Sequence, residues 1–471
     1  MAITRRIANA LNALFGYQAS DGTGSHRRTQ SQLTNMSEDV ILNQQQRLTI
    51  SCTTRDLLRN MSIAGWAIRK HLDYVSTFTF EARTGNKGLD TLLKTRVEEW
   101  SQPSLFDASQ VMGRETFVRT MEQCRTLDGD VLVLRINDGR IQAIESDRIK
   151  QPESSPGFRI SALDQWVNGV HVVNGIASEY AVWKRTPNGM VPGNFVSAKD
   201  CFPLFAYRPR FDCVRGISPM APAINSFVDL HDSITYALSK MKLSQLFGLV
   251  FTQAGDRFPG IVTANSGDPA DGSEGYMVDW KKGPVVLNLR PGDEAKFLES
   301  QTPSQEFQNF VQVTIPMCLK ALDIPYSFYD EAYSTYSGSR QALLQYEQSA
   351  KGKRIEIQRF LDEWVEWRIK MGILAGQLPP TIPMVWEWIP AGLPWVNPLQ
   401  ESSANAIEVG LGTKSRSMIC KERGYDFDDV LDQLQSENTK LIAAGMTPVL
   451  PTMQINVGTG GADEPSKQKV K

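Results

Sequence analysis

The chain has 471 residues, 22% charged and 41% hydrophobic, a globular balance with length for two or three domains around a sizeable core. Its 50 Lys and Arg nearly cancel 52 Asp and Glu, leaving a net charge of −2. That excludes a protein gripping nucleic acid through a broad basic surface and restricts any such contact to a local or sliding one.

Residues 1–16 place two arginines before an apolar stretch, but Asn9 and Asn12 interrupt it and no small-residue cleavage pattern follows. They read as a short amphipathic helix, not a targeting signal. Residues 1–46 as a whole, rich in Ser, Gly, Thr and Gln from Gln18 onward, are expected to form a flexible arm. Residues 47–124 read as helical, because Leu57, Leu58, Met61, Ala64, Ile68, Leu72 and Val75 recur at three- and four-residue spacing. A β-rich part follows. The apolar run 130–136, the turn Asn137-Asp138-Gly139 and the run 141–145 make a hairpin, since such turns need positive φ. Further strands are expected at 169–173, 178–184 and 202–207.

Beyond Gly216 one long helix is expected from Pro219 or Pro222 to about residue 247, with Ile224, Phe227, Val228, Ile234, Leu238 and Met241 on its apolar face. Such a helix is about 35–40 Å long, more than a compact domain usually needs. Residues 249–300 read as loop-rich, with short strands at 275–280, 285–289 and 295–299. A second helix, 304–322, buries Phe307, Phe310, Val311, Ile315, Cys318, Leu319 and Leu322 and kinks near Gln312 because of Pro316. Asp323-Ile324-Pro325 ends it. A polar, tyrosine-rich loop spans 326–339, and a third long helix spans 340–374, with a bend at Gly352. The Pro- and Trp-rich stretch 379–399 is expected to be extended. Short helices follow, the last capped by Asp426 and ending near Ala444, and a Gly- and Lys-rich tail is expected to be disordered.

Reactive groups do not converge along the sequence. Six cysteines (Cys52, Cys124, Cys201, Cys213, Cys318, Cys420) lie far apart with no Cys-x-x-Cys pair, which excludes a disulfide framework and a zinc site and fits a reducing compartment. His26, His71, His171 and His231 are scattered. No nucleophile elbow is present, and the run 410–415 lacks the spacing of a phosphate loop. Asp426, Asp428, Asp429 and Asp432 read as an acidic first helical turn. No catalytic residue, cofactor or metal is expected, and no run of about 18 uncharged apolar residues exists to span a membrane.

Three segments together resemble the portal proteins of the phage lambda group. The first is Tyr207-Arg208-Pro209 with Arg215-Gly216-Ile217-Ser218-Pro219 ahead of a long helix. The second is Leu322-Asp323-Ile324-Pro325-Tyr326, then Tyr336-Ser337-Gly338-Ser339-Arg340-Gln341-Ala342-Leu343-Leu344. The third is Asn397-Pro398-Leu399, Gly410-Leu411-Gly412-Thr413 and Glu422-Arg423-Gly424-Tyr425-Asp426. The upstream Leu57-Leu58-Arg59-Asn60 also fits. Their order and spacing over residues 47–440 carry the resemblance. Asn397 departs from the family's more frequent Asp, and Ile324 from its usual Val.

The resemblance implies an α+β portal fold. It divides the chain into an arm (1–46), a wing of helices and β-structure (47–215), a stem helix (216–248), a small α/β clip (249–302) and a second stem helix (303–325). A channel loop (326–339), a long wing helix with an extended segment (340–398), a helical crown (399–450) and a tail (451–471) complete it. It further implies a ring of about twelve subunits at one capsid vertex of the virion, formed in the host cytoplasm. Duplex DNA would pass through the channel during packaging and ejection. Expected partners are the terminase large subunit, the major capsid protein or scaffold, and a head–tail adaptor. Arg340, Lys351 and Lys353, beside the channel loop, are the candidate DNA contacts; Lys281 and Lys282 in the clip are candidates for terminase docking. Two other readings remain: a minor capsid or head–tail adaptor protein, and a ring-shaped nucleic-acid-processing enzyme.

Overall fold

The computed structural model describes residues 37–152, 166–246, 249–253, 293–297, 304–330, 336–392 and 397–446. Over these the chain is a mixed α+β protein that divides into two units, Met1–Phe227 with Pro316–Lys471, and Val228–Ile315.

In the first unit, a short helix α1 (Glu38–Ile41) precedes α2 (Gln44–Asn60) and α3 (Ser62–Val75). The periodic run is thus two helices broken at the extended Met61, with Leu57, Ala64, Ile68, Leu72 and Val75 buried as expected. Asn43 and Gln46 form a reciprocal cap at the start of α2. Residues 37–46, expected within the flexible arm, are ordered because Asp39 is buried: its carboxylate accepts from Val214 N at 2.6 Å and from Arg47 Nη2 at 2.7 Å. Helices α4 (Lys87–Trp100), α5 (Pro103–Phe106) and α6 (Arg114–Asp128) complete this helical part.

Within it lies a strand the helical reading passes over. β1 (Phe78–Ala82) pairs antiparallel with β11 (Trp386–Pro390), drawn from the Pro- and Trp-rich stretch. The expected hairpin is β2 (Asp130–Arg135) with β3 (Ile141–Glu145), extended by β8 (Phe205–Ala206), which is shorter than the strand expected at 202–207. A four-stranded antiparallel sheet runs β4 (Trp166–Val167), β5 (Val170–Val173), β6 (Ile176–Thr186) and β7 (Gly189–Ser197).

The long helix of residues 336–374 ties these layers together. Its buried Ile357, Phe360, Leu361, Trp364, Val365 and Ile369 share one core with Phe80, Val97, Trp100, Phe106, Phe117, Val133 and Trp388. Numbered in chain order it is α9; α7 (Ile224–Leu246) and α8 (Gln305–Leu319) precede it, and α10 (Pro398–Gly410), α11 (Arg416–Glu422) and α12 (Phe427–Ala443) follow. α9 begins four residues before the Arg340 expected from sequence and runs unbroken through Gly352. Asp426 caps α12 as expected, accepting from Asp428 N at 2.8 Å.

In the second unit, β9 (Leu249–Gln253) and β10 (Asp293–Phe297) form an antiparallel pair, where the sequence leads one to expect a strand only at 295–299. The strands expected at 275–280 and 285–289 lie outside the described residues. Expected apolar positions are partly open here: Leu238, on the apolar face of α7, and Phe310, on the face of α8 read as buried, are exposed. Periodicity marks which residues share a face but not whether one chain covers it.

Candidate functional site

The site is built where the helix ending at Leu319 turns back toward α9. A single 3₁₀ turn, Lys320–Leu322, closes on Asp323, whose φ of 61° is left-handed. A non-glycine residue there costs energy unless its side chain is held. Asp323 is held: Ser349 Oγ donates to its carboxylate at 2.6 Å, and Lys353 Nζ lies 2.9 Å away. Lys353 also donates to Leu322 O at 2.8 Å, closing the turn onto α9. Burial raises the Asp323 carboxyl, but the bonds from Ser349 and Lys353 outweigh it and hold the pKa below the ordinary carboxylate value.

Pro325 then starts a second 3₁₀ turn, Tyr326–Phe328, which roots the expected channel loop in an aromatic cluster. Phe328 stacks on Tyr74 of α3 at 5.7 Å and meets Tyr346 of α9 edge-on at 5.5 Å; Tyr74 and Tyr346 meet edge-on at 5.0 Å. Tyr329 meets Trp66 at 6.0 Å. Beneath them Arg354 donates twice to Tyr74 O, at 2.8 and 2.6 Å, and twice to Glu347, at 2.6 and 3.1 Å. The loop therefore leaves from a fixed root, and its far end, from Tyr336, is already helical.

Arg340 and Lys351 lie on the other side of α9, in a cleft of about 630 Å³ between α9, the end of β11 and helices α10 and α11. Arg340 Nη1 is 3.4 Å from Glu401, and Lys421 pairs with Glu387 at 2.8 Å across the cleft. Lys351 is exposed and forms no ion pair among the described residues. The structure thus separates the three candidate cations: Arg340 and Lys351 share a cleft, whereas Lys353 faces the turn at Asp323. Residues two apart on a helix point to different sides. Lys281 and Lys282 lie outside the described residues. Asp323, Ser349, Arg354, Tyr74 and Tyr346 do not stand out from sequence. The available signal is the Leu-Asp-Ile-Pro run, since an Asp that ends a helix ahead of Ile-Pro suits a left-handed cap.

The Arg-Gly-Ile-Ser motif before α7 is explained by burial. The fully enclosed Arg215 makes a bidentate pair with Asp130 at 2.7 and 2.8 Å and donates to Ile149 O, Asn168 O and Ser146 Oγ. Burial of Asp130 favours its neutral form, but Arg215 overrides that and keeps it ionised. Gly216 passes so close to Gly129 that a Cβ would sit 2.0 Å from Gly129 O. Among the histidines, His71 is buried with Nε2 2.9 Å from Glu122, His171 stacks on Trp166, and His231 is exposed; His26 lies outside the described residues. Glu81, Asp426 and Asp429 bring carboxylates within 4.8 Å of one another. A cation already sits among them, because Lys94 Nζ is 2.9 Å from Glu81 and 2.6 Å from Asp429.

No curated protein matches the chain. Among solved structures it is similar to a chain of the "Virion of native gene transfer agent (GTA) particle", with 12% identity, a TM-score of 0.48, and coverage of 90% of this chain and 97% of that one. It is also similar to chains of the "Neck of empty GTA particle computed with C6 symmetry" (13% identity, TM-score 0.48, covering 92% and 99%). A third likeness is to the "Neck of native GTA particle computed with C12 symmetry" (14% identity, TM-score 0.45, covering 84% and 94%). No helix among the described residues is long and apolar enough to cross a membrane. The model of the family described as "Phage portal protein, lambda family" matches residues 25–354, including the Arg215 motif and the turn at Asp323 with Ser349 and Lys353. The chain belongs to the lambda family of phage portal proteins, structural and non-enzymatic components of the capsid vertex.

Proposed function

We propose that copies of this chain close into a ring, of about twelve subunits, that forms the channel for DNA packaging and ejection at one capsid vertex. The family match over residues 25–354 carries this reading. In this reading residues 47–215 are the wing, 216–248 and 303–325 the stem, 249–302 the clip, 326–339 the channel loop, 340–398 the long wing helix and extended segment, and 399–450 the crown. The separation of residues 228–315 as their own unit supports a stem and clip that fold distinctly from the wing. Exposed apolar residues on α7 and α8 suit helices that pack against neighbouring copies.

DNA slides through such a channel only if nothing grips it strongly, and a net charge of −2 agrees with that. Arg340 and Lys351 supply the local DNA contacts, while Lys353 acts indirectly, by holding the turn from which the channel loop departs. The clip, with Lys281 and Lys282, docks the terminase during assembly in the host cytoplasm and later the head–tail adaptor, and the wing and crown meet the capsid protein or scaffold.

Electron microscopy of the purified chain tests the ring directly. End-on averages should show annuli with a channel about as wide as a DNA duplex. Exclusively monomeric particles across protein and salt concentrations would refute self-assembly. Arg340→Glu should lower DNA packaging or retention with ring assembly intact; packaging at the parental level would remove Arg340 from the channel.

A further inference from the structure

The C-terminal helical layer, α10 to α12, joins the rest of the first unit without an enclosed apolar contact. Among the described residues from Pro390 to Met446 the sole buried one is charged: Asp426, the N-cap of α12, which is bound by Arg83 just past β1. Phe427, Val430 and Leu441, on the apolar side of α12, are half-buried, and no residue of the layer enters the core around α9. Elements with few enclosed apolar contacts are the ones that open locally while the core stays intact.

Charge does the joining. Arg83 also pairs with Asp428 at 3.0 Å, Lys94 of α4 with Asp429 at 2.6 Å, and Lys87 with Asp432 at 2.7 Å. The acidic start of α12 therefore faces a basic row on the end of β1 and on α4. On the other flank Arg340 of α9 lies 3.4 Å from Glu401 of α10, and Lys421 of α11 pairs with Glu387 of β11 at 2.8 Å, both across the cleft beside α9. Asp428, Asp429 and Asp432 are exposed, and exposed pairs are individually weak and screened by salt. Backbone meets backbone at one corner of the layer. A Cβ on Gly392, beyond β11, would sit 2.1 Å from the Arg423 carbonyl carbon, and one on Gly424, whose φ is +80°, would sit 2.6 Å from Gly392 N. Asp429 and Asp432 lie progressively further along α12 from that corner. A single close backbone contact with charge pairs spread beyond it is the layout of a pivot and a latch.

We propose that α10–α12 form a flap that swings about the Gly392–Gly424 contact and is latched shut by these charge pairs, so that ionic strength sets whether it is closed or open. Opening uncovers Arg83, Lys87 and Lys94 and widens the cleft that holds Arg340 and Lys351, while each helix keeps its shape. The flap goes beyond the channel reading and does not rest on it: its contacts lie within one chain, and its three helices lie outside the residues matched by the family model.

Zero-length carbodiimide crosslinking of the full-length chain, read by mass spectrometry, tests the latch, because it joins a lysine to the carboxylate it touches. Mixed ¹⁴N- and ¹⁵N-labelled protein restricts the count to links within one chain. Lys94 carries its own control: it touches Asp429 on the flap at 2.6 Å and Glu81 on β1 at 2.9 Å. From about 0.05 to about 1 M NaCl, where the screening length shrinks to roughly 3 Å, the ratio of Lys94–Asp429 to Lys94–Glu81 links should fall at least about fivefold. The Lys87–Asp432 link should fall with it. A ratio constant across the salt series would overturn the latch. Asp429→Asn/Asp432→Asn removes two latch charges and leaves the Asp426 cap in place. At low salt this variant should show the Lys421–Glu387 link reduced to the parental high-salt level. That link at the parental low-salt level would mean that the pairs act independently, and would overturn the flap. Helix content by circular dichroism should stay constant throughout; a loss that parallels the links would mean that the helices melt and do not swing, and would overturn it as well.

Discussion

The two halves of α9 are parts of one unbroken helix and do opposite things. From Ile357 to Ile369 its inward residues are enclosed, with Trp364 at 0% exposure among Phe106, Phe117 and Trp388. From Ser337 to Ile355 only Leu343, Tyr346, Ala350 and Arg354 are buried, while Leu344 is 54% and Ile355 61% exposed. The second half is an anchor that commits its apolar surface to its own chain. The first half is held from one side, by the turn at Asp323 and the aromatic root, and leaves its other side in the cleft with Arg340 and Lys351. Rigid backbone with an uncommitted face is the arrangement needed where a subunit must hold its shape while something else touches it.

Breaking the anchor should have the largest effect. Trp364→Ala removes a fully enclosed indole and should cost about 3–5 kcal/mol in urea unfolding, enough to abolish assembly. A loss below about 1 kcal/mol would mean the second half is not the anchor. Next, Lys353→Met removes the clamp on Asp323 and Leu322 O. It should cost about 1–2 kcal/mol, at the low end because Asp323 is partly exposed, and should raise proteolysis between residues 326 and 339. Unchanged cleavage there would separate Lys353 from the loop.

The third effect is pH-dependent and lies beneath the first half. His71 is buried against Glu122, with Arg125 and Lys353 nearby. Burial lowers its pKa and outweighs the attraction of Glu122. A folded-state pKa below the unfolded value means the unfolded chain binds the extra proton first. Stability is therefore full above about pH 6.5 and falls as the pH drops below it, by at most about 1.4 kcal/mol for each pH unit. His71→Gln, which keeps a donor to Glu122 without titrating, should flatten that slope between pH 7 and 5; an unchanged slope would place the titration elsewhere. Smallest of all, Lys351→Ala should change stability by less than about 0.5 kcal/mol, because Lys351 is exposed and forms no ion pair among the described residues. A larger loss would show that the open face of α9 is structurally committed after all.

Patterns are legible in the sequence where their cause is local. The stripe from Leu57 to Val75, the Asn-Asp-Gly hairpin and the Asp426 cap depend on neighbours a few residues away, and each is present. The portal motifs are legible for a related reason: Arg215-Gly216 and Leu322-Asp323-Ile324-Pro325 each serve a tight, buried geometry that few residue types can satisfy. Lys353 groups with Lys351 on the page because sequence proximity conceals that they face different partners. Strand β1 escapes a sequence reading because its partner, β11, lies some three hundred positions away, and no local signal announces such a pairing.

By itself the sequence determined the order of most elements and the family. Only the tertiary structure decided which side of each amphipathic helix is buried within the chain. Periodicity reports a helix's apolar side, but burial is a property of what lies opposite. On α9 that is the chain's own core from Ile357 to Ile369, whereas nearer its start Leu344 and Ile355 are left open.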